Sequence, residues 1–314
     1  MNKFSATKAA FSIFDFMKFN RNFVLKYIAF YFLFIVAYLT AMWAIGYFDL
    51  FKIMMESAAS GNPEAMDIAA LNQWSGSIVP KMGLVMILSA GAWVMYISAV
   101  LRKMLRNEEI GFHGLSWGKD ENRMALAFLV YFGLYIGFYL MLVVGMLIGG
   151  GIAWGLGQIS PILSGIISVL IGIGFFCALL AFIIRLSQFG VLTIANRKMG
   201  TIDSFKETRG NFWSFFGAHF ILSFIVMLVM FVLFAVGVMI YGNNLGTPGA
   251  ENSETLTAIM PQFFALGLIY SLFAGFVMQA QICIGAYAYK VMHEGEELPI
   301  EPEATPHIWP TLGE

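Results

Sequence analysis

The sequence predicts an all-α polytopic membrane protein of six transmembrane helices, and three observations predict it. Hydrophobic residues fill 59% of the 314 positions and charged residues only 12%, where a soluble domain carries about 25% charged residues. That leaves too little polar surface to cover a globule, so part of the solvent must be lipid. Five windows, 27–48, 82–101, 124–184, 210–250 and 255–289, contain no Asp, Glu, Lys or Arg. A crossing needs about 20 apolar residues, and the 61-residue third window accommodates two of them. Finally, sixteen of the eighteen Lys and Arg residues fall on alternate connections between these windows.

The chain opens with a leader, 1–22, in which Phe4, Phe11, Ile13, Phe14, Phe16 and Phe19 alternate with Lys3, Lys8 and Lys18. At 100° per residue Phe4 and Phe11 intrude on the polar side, so two readings stand. One is a helix lying in the membrane interface, the other a partly ordered cytosolic arm. The apolar run after it is longer than a signal-peptide core, and no small-x-small cleavage site follows, so it is expected to remain as an anchor.

The transmembrane region spans 23–292, with helices expected over 23–48, 78–102, 124–154, 160–186, 212–241 and 258–291. The break inside the long window is Gly155-Leu156-Gly157-Gln158-Ile159-Ser160-Pro161, a Gly/Ser/Pro turn. Lys and Arg then orient the bundle. Five lie in or beside the leader, five between Arg102 and Arg123, and five between Arg185 and Arg209, with Lys290 ending the last helix; Lys52 and Lys81 stand alone on the other side. The positive-inside rule places both termini in the cytoplasm of a multi-pass protein of the bacterial inner membrane.

A pattern recurs along the chain. Pro80, Pro161 and Pro261 each follow an isoleucine by two residues, at the far ends of the even-numbered helices. Proline suits a first helical turn, where its missing N–H would be unpaired anyway. The odd-numbered helices are entered at Asn22, Asn122 and Asn211, and Asn is a good N-cap. The pattern reads as three helical hairpins, each entered and left from the cytosol, or as convergent capping chemistry. Equal orientation would make the hairpins parallel repeats, unlike the inverted repeats of many transporters. Gly145/Gly149 and Gly151/Gly155, facing Ser164, Ser168 and Gly172, predict a close approach of the third and fourth helices.

Chemistry-bearing residues are few. No Asp or Glu falls inside an expected span, whereas proton relays and intramembrane hydrolysis need ionisable groups at depth. His219 has no second His, Cys or carboxylate at metal-ligand spacing and reads as a packed, hydrogen-bonded side chain. Cys177 and Cys283 sit in apolar runs and read as small buried hydrophobes. No phosphate-binding loop, nucleophile elbow or dinucleotide fingerprint is present, so no enzyme activity, metal or cofactor is expected. With a net charge of −1, neither is a nucleic-acid partner.

Two features point to lipid. Tyr27, Tyr31, Phe34 and Tyr38 share one face of the first helix, and Tyr131, Tyr135 and Tyr139 one face of the third. Their hydroxyls need partners within a bilayer, so they point to other helices or line a cavity for an amphiphile. The second feature is the connection after the fourth helix. Thr201 is placed to cap a short helix ended by Gly210, with Ile202 and Phe205 toward the membrane. Arg185, Lys198, Lys206 and Arg209 are then candidate contacts for anionic headgroups.

The segment Arg185-Leu186-Ser187-Gln188-Phe189, followed by a short helix and Thr208-Arg209-Gly210-Asn211-Phe212-Trp213, resembles bacterial inner-membrane proteins related to the membrane domain of glycerophosphodiester phosphodiesterases. The motif covers about residues 185–213, and the six-span topology extends it loosely over 23–292. The resemblance implies a membrane domain that in some relatives precedes a catalytic barrel with acidic metal ligands and histidines. This sequence carries no such barrel, so the activity does not follow. The tail, 293–314, holds six acidic residues and four prolines, too polar to fold alone. It reads as a solvated tail, or as a docking peptide around Ile308-Trp309 for a membrane-protein partner. The expectation is a non-enzymatic membrane module that interacts with lipids or organises partners. The alternative is a transporter or flippase of a lipid-like amphiphile.

Overall fold

A computed structural model describes residues 3–49, 68–109, 111, 114–245 and 253–295. Those residues are all-helical: α1 (Ala6–Ala44), α2 (Ile68–Arg106), α3 (Lys119–Gly157), α4 (Pro161–Leu186), α5 (Phe189–Ala195), α6 (Thr201–Glu207), α7 (Phe212–Leu245) and α8 (Ser253–His293). Six helical stretches, α1, α2, α3, α4 continued into α5, α7 and α8, are long and apolar enough to cross a membrane. Many of their apolar residues face outward. The most hydrophobic stretch of α4–α5 reaches a mean hydropathy of 2.8 with none of it buried, and that of α7 reaches 2.8 with 6% buried. Water would not tolerate so much exposed apolar surface. The chain is an integral membrane protein.

The helices overrun the expected spans. α1, α2 and α3 each have 39 residues, which at about 1.5 Å per residue is about 58 Å, roughly twice a hydrocarbon core. α1 starts at Ala6 and joins two helical stretches across a kink, the first of them lying in the leader. It departs from helical geometry at Asn20 (φ −122°, ψ 33°), whose Nδ2 donates to the Phe16 carbonyl at 3.4 Å. Ala9, Ala10, Ile13 and Phe16 are buried, while Phe11, Phe14 and Phe19 are exposed, so the leader buries one face in protein and shows the other outward.

Several expected helix starts are corrected. Asn22 lies inside α1. Asn122 lies one turn into α3, where its Oδ1 accepts from the Trp117 indole at 2.8 Å instead of capping. Pro80 sits inside α2 and Pro261 inside α8. Only Pro161 stands in a first turn, behind Ser160, whose hydroxyl accepts from Leu163 N–H at 3.4 Å. The shared proline therefore does not mark a shared helix start. The connections of the first and third expected hairpins lie largely outside the described residues.

The α3–α4 pair is described throughout, and glycine explains its closeness. A Cβ on Gly145 would meet the Phe175 ring at 2.7 Å, and one on Gly149 would meet Ile171 at 3.0 Å. At the turn, the Ser164 hydroxyl donates to the Ala153 carbonyl at 2.7 Å. Gly151, Gly155 and Gly172 have open space beside them, so the second glycine pair does not take part. Cys177 is exposed, contrary to expectation, while Cys283 is buried with its Sγ 3.6 Å from Met104 Sδ.

The chain forms two compact units. One holds the residues up to Ala9, then Val94–His219, then α8 from Cys283. Its core includes Val100, Leu101, Met104, Met124, Leu192, Ile194, Phe215 and Ile284. Here Phe4 meets Phe215 edge-on at 4.8 Å, and Asn211 Nδ2 lies 3.1 Å from Met292 Sδ. The other unit holds Ala10–Trp93 and Phe220–Ile282 as far as described. In it Gln279 Nε2 donates to the Val24 carbonyl at 3.0 Å, and a Cβ on Gly275 would come within 3.2 Å of Tyr31. Both contacts hold α8 against α1.

Candidate functional site

The connection from α4 to α7 is a folded elbow tied by short hydroxyl side chains. α5 turns off α4 at Ser187, whose hydroxyl donates to the Ile184 carbonyl at 2.8 Å. Ser204, from α6, accepts from Gln188 N–H at 3.2 Å and donates to the Arg185 carbonyl at 2.6 Å. Thr193 donates to the Phe189 carbonyl at 2.6 Å and accepts from Gly200 N–H at 3.1 Å. Thr208 donates to the Ser204 carbonyl at 2.9 Å. Thr201 does not cap α6, since Gly200 holds that position. Its hydroxyl instead donates to the Ala127 carbonyl of α3 at 3.2 Å. Threonine prefers a cap in isolation, but a buried hydroxyl goes where an acceptor is.

Inside the elbow the buried Gln188 amide has no hydrogen-bond partner among the described residues, and outside it shows a surface of mixed character. Ile202 (64% exposed) and Trp213 (77%) flank the exposed Lys206 and Arg209. Neither cation has an ion-pair partner among the described residues. Lys198 pairs with Asp203 at 3.1 Å, and Arg185 is half-buried. Two of the four candidate headgroup contacts are thus free to meet an anion.

A second polar cluster joins the end of α2, the 107–118 connection and the start of α3. Arg102 and Glu121 form an ion pair with side chains 3% and 0% exposed. Arg102 Nη2 also donates to the Gly114 carbonyl at 3.0 Å, and the other Glu121 oxygen accepts Gly118 N–H at 2.9 Å. Arg106 pairs with Asp120 and, at 3.3 Å, with Glu108. Asp120 is shared with Arg123 at 3.0 Å, and Arg197, from the α5–α6 connection, reaches Glu108 at 3.6 Å. These groups surround an open cleft of about 490 Å³. Counting charges for topology missed the cluster. Its sequence signal is Arg102 and Arg106 four apart on one helix face, followed by Asp120 and Glu121 in the next helix's first turn.

Tyr27 is buried and stacks on Phe23 at 4.3 Å, Tyr31 packs edge-on to Trp93 at 6.0 Å, and Tyr38 is half-buried. Tyr131 stacks on Phe189 at 4.9 Å, whereas Tyr135 (38%) and Tyr139 (57%) are exposed. Each stripe thus combines ring packing with more exposed side chains. His219 keeps a buried Nε2 without a hydrogen-bond partner among the described residues, so the hydrogen bond expected there is not found at Nε2. No group of three metal-ligating side chains occurs among the described residues. The Ile308-Trp309 segment lies outside them.

No protein-family model, curated protein or solved structure matches the chain.

Proposed function

We propose that the protein is a non-enzymatic lipid-interacting module of the bacterial inner membrane, with both termini cytoplasmic. Its elbow holds anionic headgroups and thereby organises lipids or membrane partners around the bundle. The observation that carries this reading is the outer row of Ile202, Lys206, Arg209 and Trp213. It pairs two uncommitted cations with two apolar anchors on a backbone already fixed by internal hydrogen bonds. Each basic side chain near an anionic leaflet contributes about 1 kcal/mol, and Trp favours the headgroup level. The contacts of Phe4 with Phe215 and of Asn211 with Met292 support an arrangement in which both ends of the chain accompany the basic connections. Kinship with the phosphodiesterase-associated membrane domains belongs to the same proposal and rests on the 185–213 motif. The transporter reading rests on the tyrosine stripes and on the recurring hairpin pattern, and the exposure of Tyr135 and Tyr139 adds no support to it.

The double variant Lys206→Gln with Arg209→Gln tests the role, because the remaining basic residues should preserve orientation. Its retention of anionic lipid in native mass spectrometry should fall by roughly thirtyfold in affinity, the equivalent of about 2 kcal/mol. Unchanged retention would reduce the elbow to a topology signal. Orientation is tested by single cysteines at Asn62, Ser116, Lys198 and Asn252 in a Cys-free background. An impermeant reagent added outside intact cells should label only Asn62 and Asn252, and labelling at Lys198 would overturn the topology.

A further inference from the structure

We propose that the cleft between the end of α2 and the start of α3 binds a phosphate monoester. Five cationic and three acidic side chains line it, an excess of two positive charges. A phosphate monoester carries about −1.5 to −2 at pH 7, so the charges match. All three carboxylates are already held by cations: Glu121 by Arg102, Asp120 by Arg106 and Arg123, and Glu108 by Arg106 and Arg197. Lys119 is left over outright, and Arg197 shares Glu108 with Arg106 through a long contact. Lys119 is exposed and has no ion-pair partner among the described residues. Arg197 is 64% exposed and held only by its 3.6 Å contact.

Two further groups of donors belong to residues of the cleft lining. The N-cap of α3 is Gly118, which has no side chain to accept the N–H groups of the first turn, and such groups favour phosphate. Arg102 is 2% exposed, yet its Nε is buried without a hydrogen-bond partner among the described residues. A buried donor left unpaired beside a cleft is a group whose cost a polar ligand entering there could relieve. The volume, about 490 Å³, lies within the range of small-molecule sites and leaves room for the esterified group. Two sources present this chemistry, a lipid with a terminal phosphate or a soluble phosphate ester. The site shares no residue with the outer row of the elbow and does not depend on the role proposed for it.

The test uses the full chain in phosphatidylcholine nanodiscs. Inorganic phosphate should raise the unfolding midpoint saturably, and chloride at matched ionic strength should not. Lys119→Gln with Arg197→Gln should weaken that response by at least about tenfold, one charge-assisted contact or more. Lys206→Gln with Arg209→Gln should leave it intact, which separates this site from the elbow. Discs containing phosphatidic acid identify the source. If they raise the midpoint and abolish the further effect of phosphate, the ligand is a headgroup; if they leave the phosphate response unchanged, it is soluble. Should the double variant misfold, Lys119→Gln alone replaces it, and its response should fall severalfold. A midpoint indifferent to both phosphate and phosphatidic acid, or a response that survives the Lys119 and Arg197 substitutions, would overturn the proposal.

Discussion

Glu121→Ala is expected to destabilise the protein by about 3–5 kcal/mol, the cost of stranding one member of a buried ion pair. The Arg102 side chain is 3% exposed and cannot swing into water without dismantling its surroundings. Its Nη2 is also anchored by the Gly114 carbonyl at 3.0 Å and the Ser116 hydroxyl at 3.4 Å. Alanine would leave the guanidinium charged and uncompensated, and would free the Gly118 N–H that Glu121 now accepts. Removing both charges with Arg102→Leu and Glu121→Leu should cost less than Glu121→Ala alone, because no ion then remains to desolvate. The Gly114 carbonyl, the Ser116 hydroxyl and the Gly118 N–H would lose partners. Equilibrium unfolding in mild detergent, followed by circular dichroism, measures both variants. A single substitution costing under about 1 kcal/mol would mean that solvent reaches Arg102. A double variant worse than the single would mean that the polar contacts, not the charge, carry the stability.

The pair also shows where sequence reading stopped. Hydropathy located all six crossings because lipid imposes one dominant requirement, a long apolar run whose backbone is satisfied within the helix. Local punctuation was less dependable: Pro80 looks like a boundary by capping chemistry yet lies inside α2, whereas the break expected at Asn22 falls two residues earlier, at the Asn20 kink. In the α3–α4 pair Gly145 and Gly149 were legible because close packing has a spacing signature. Gly151 and Gly155 share that signature without facing a neighbour, and spacing alone cannot rank helix faces. The elbow was legible in outline, with Ile202 outward and a short helix after Gly200. Its internal bonds were not, because the partners of Ser204 and Thr201 are carbonyls at Arg185 and Ala127, 19 and 74 residues away. Arg102 and Glu121 illustrate the same limit. Each satisfied the positive-inside pattern or a helix first turn locally, and only the return of the chain through 107–118 made them a buried pair.

Gly200→Ala should unfold or loosen the elbow at a cost of about 2–5 kcal/mol, combining overpacking with a broken buried hydrogen bond. The backbone conformation at Gly200 (φ −99°) suits any residue, so the constraint is space. A Cβ there would lie 2.6 Å from Leu192 Cβ, 2.8 Å from Thr193 N and 2.9 Å from the Leu192 carbonyl carbon. Two of these are backbone atoms of α5 and cannot yield as a side-chain tip would. Relief requires α6 to move away, which stretches the 3.1 Å bond from Gly200 N–H to Thr193 and the 3.2 Å bond from Thr201 to Ala127. The outer row of Ile202 and Lys206 is carried on that helix, so its presentation to headgroups should suffer with it. Gly210→Ala is the matched control, because nothing lies within 4 Å of the added methyl. It should change stability by no more than about 1 kcal/mol, in the favourable direction if the alanine restricts the unfolded chain. Thermal unfolding and retained anionic lipid, measured on both variants, give the comparison. A Gly200→Ala protein that melts with the wild type and keeps its lipid would show that α5 and α6 can separate freely, and that the close contact at Gly200 does not hold the elbow in shape.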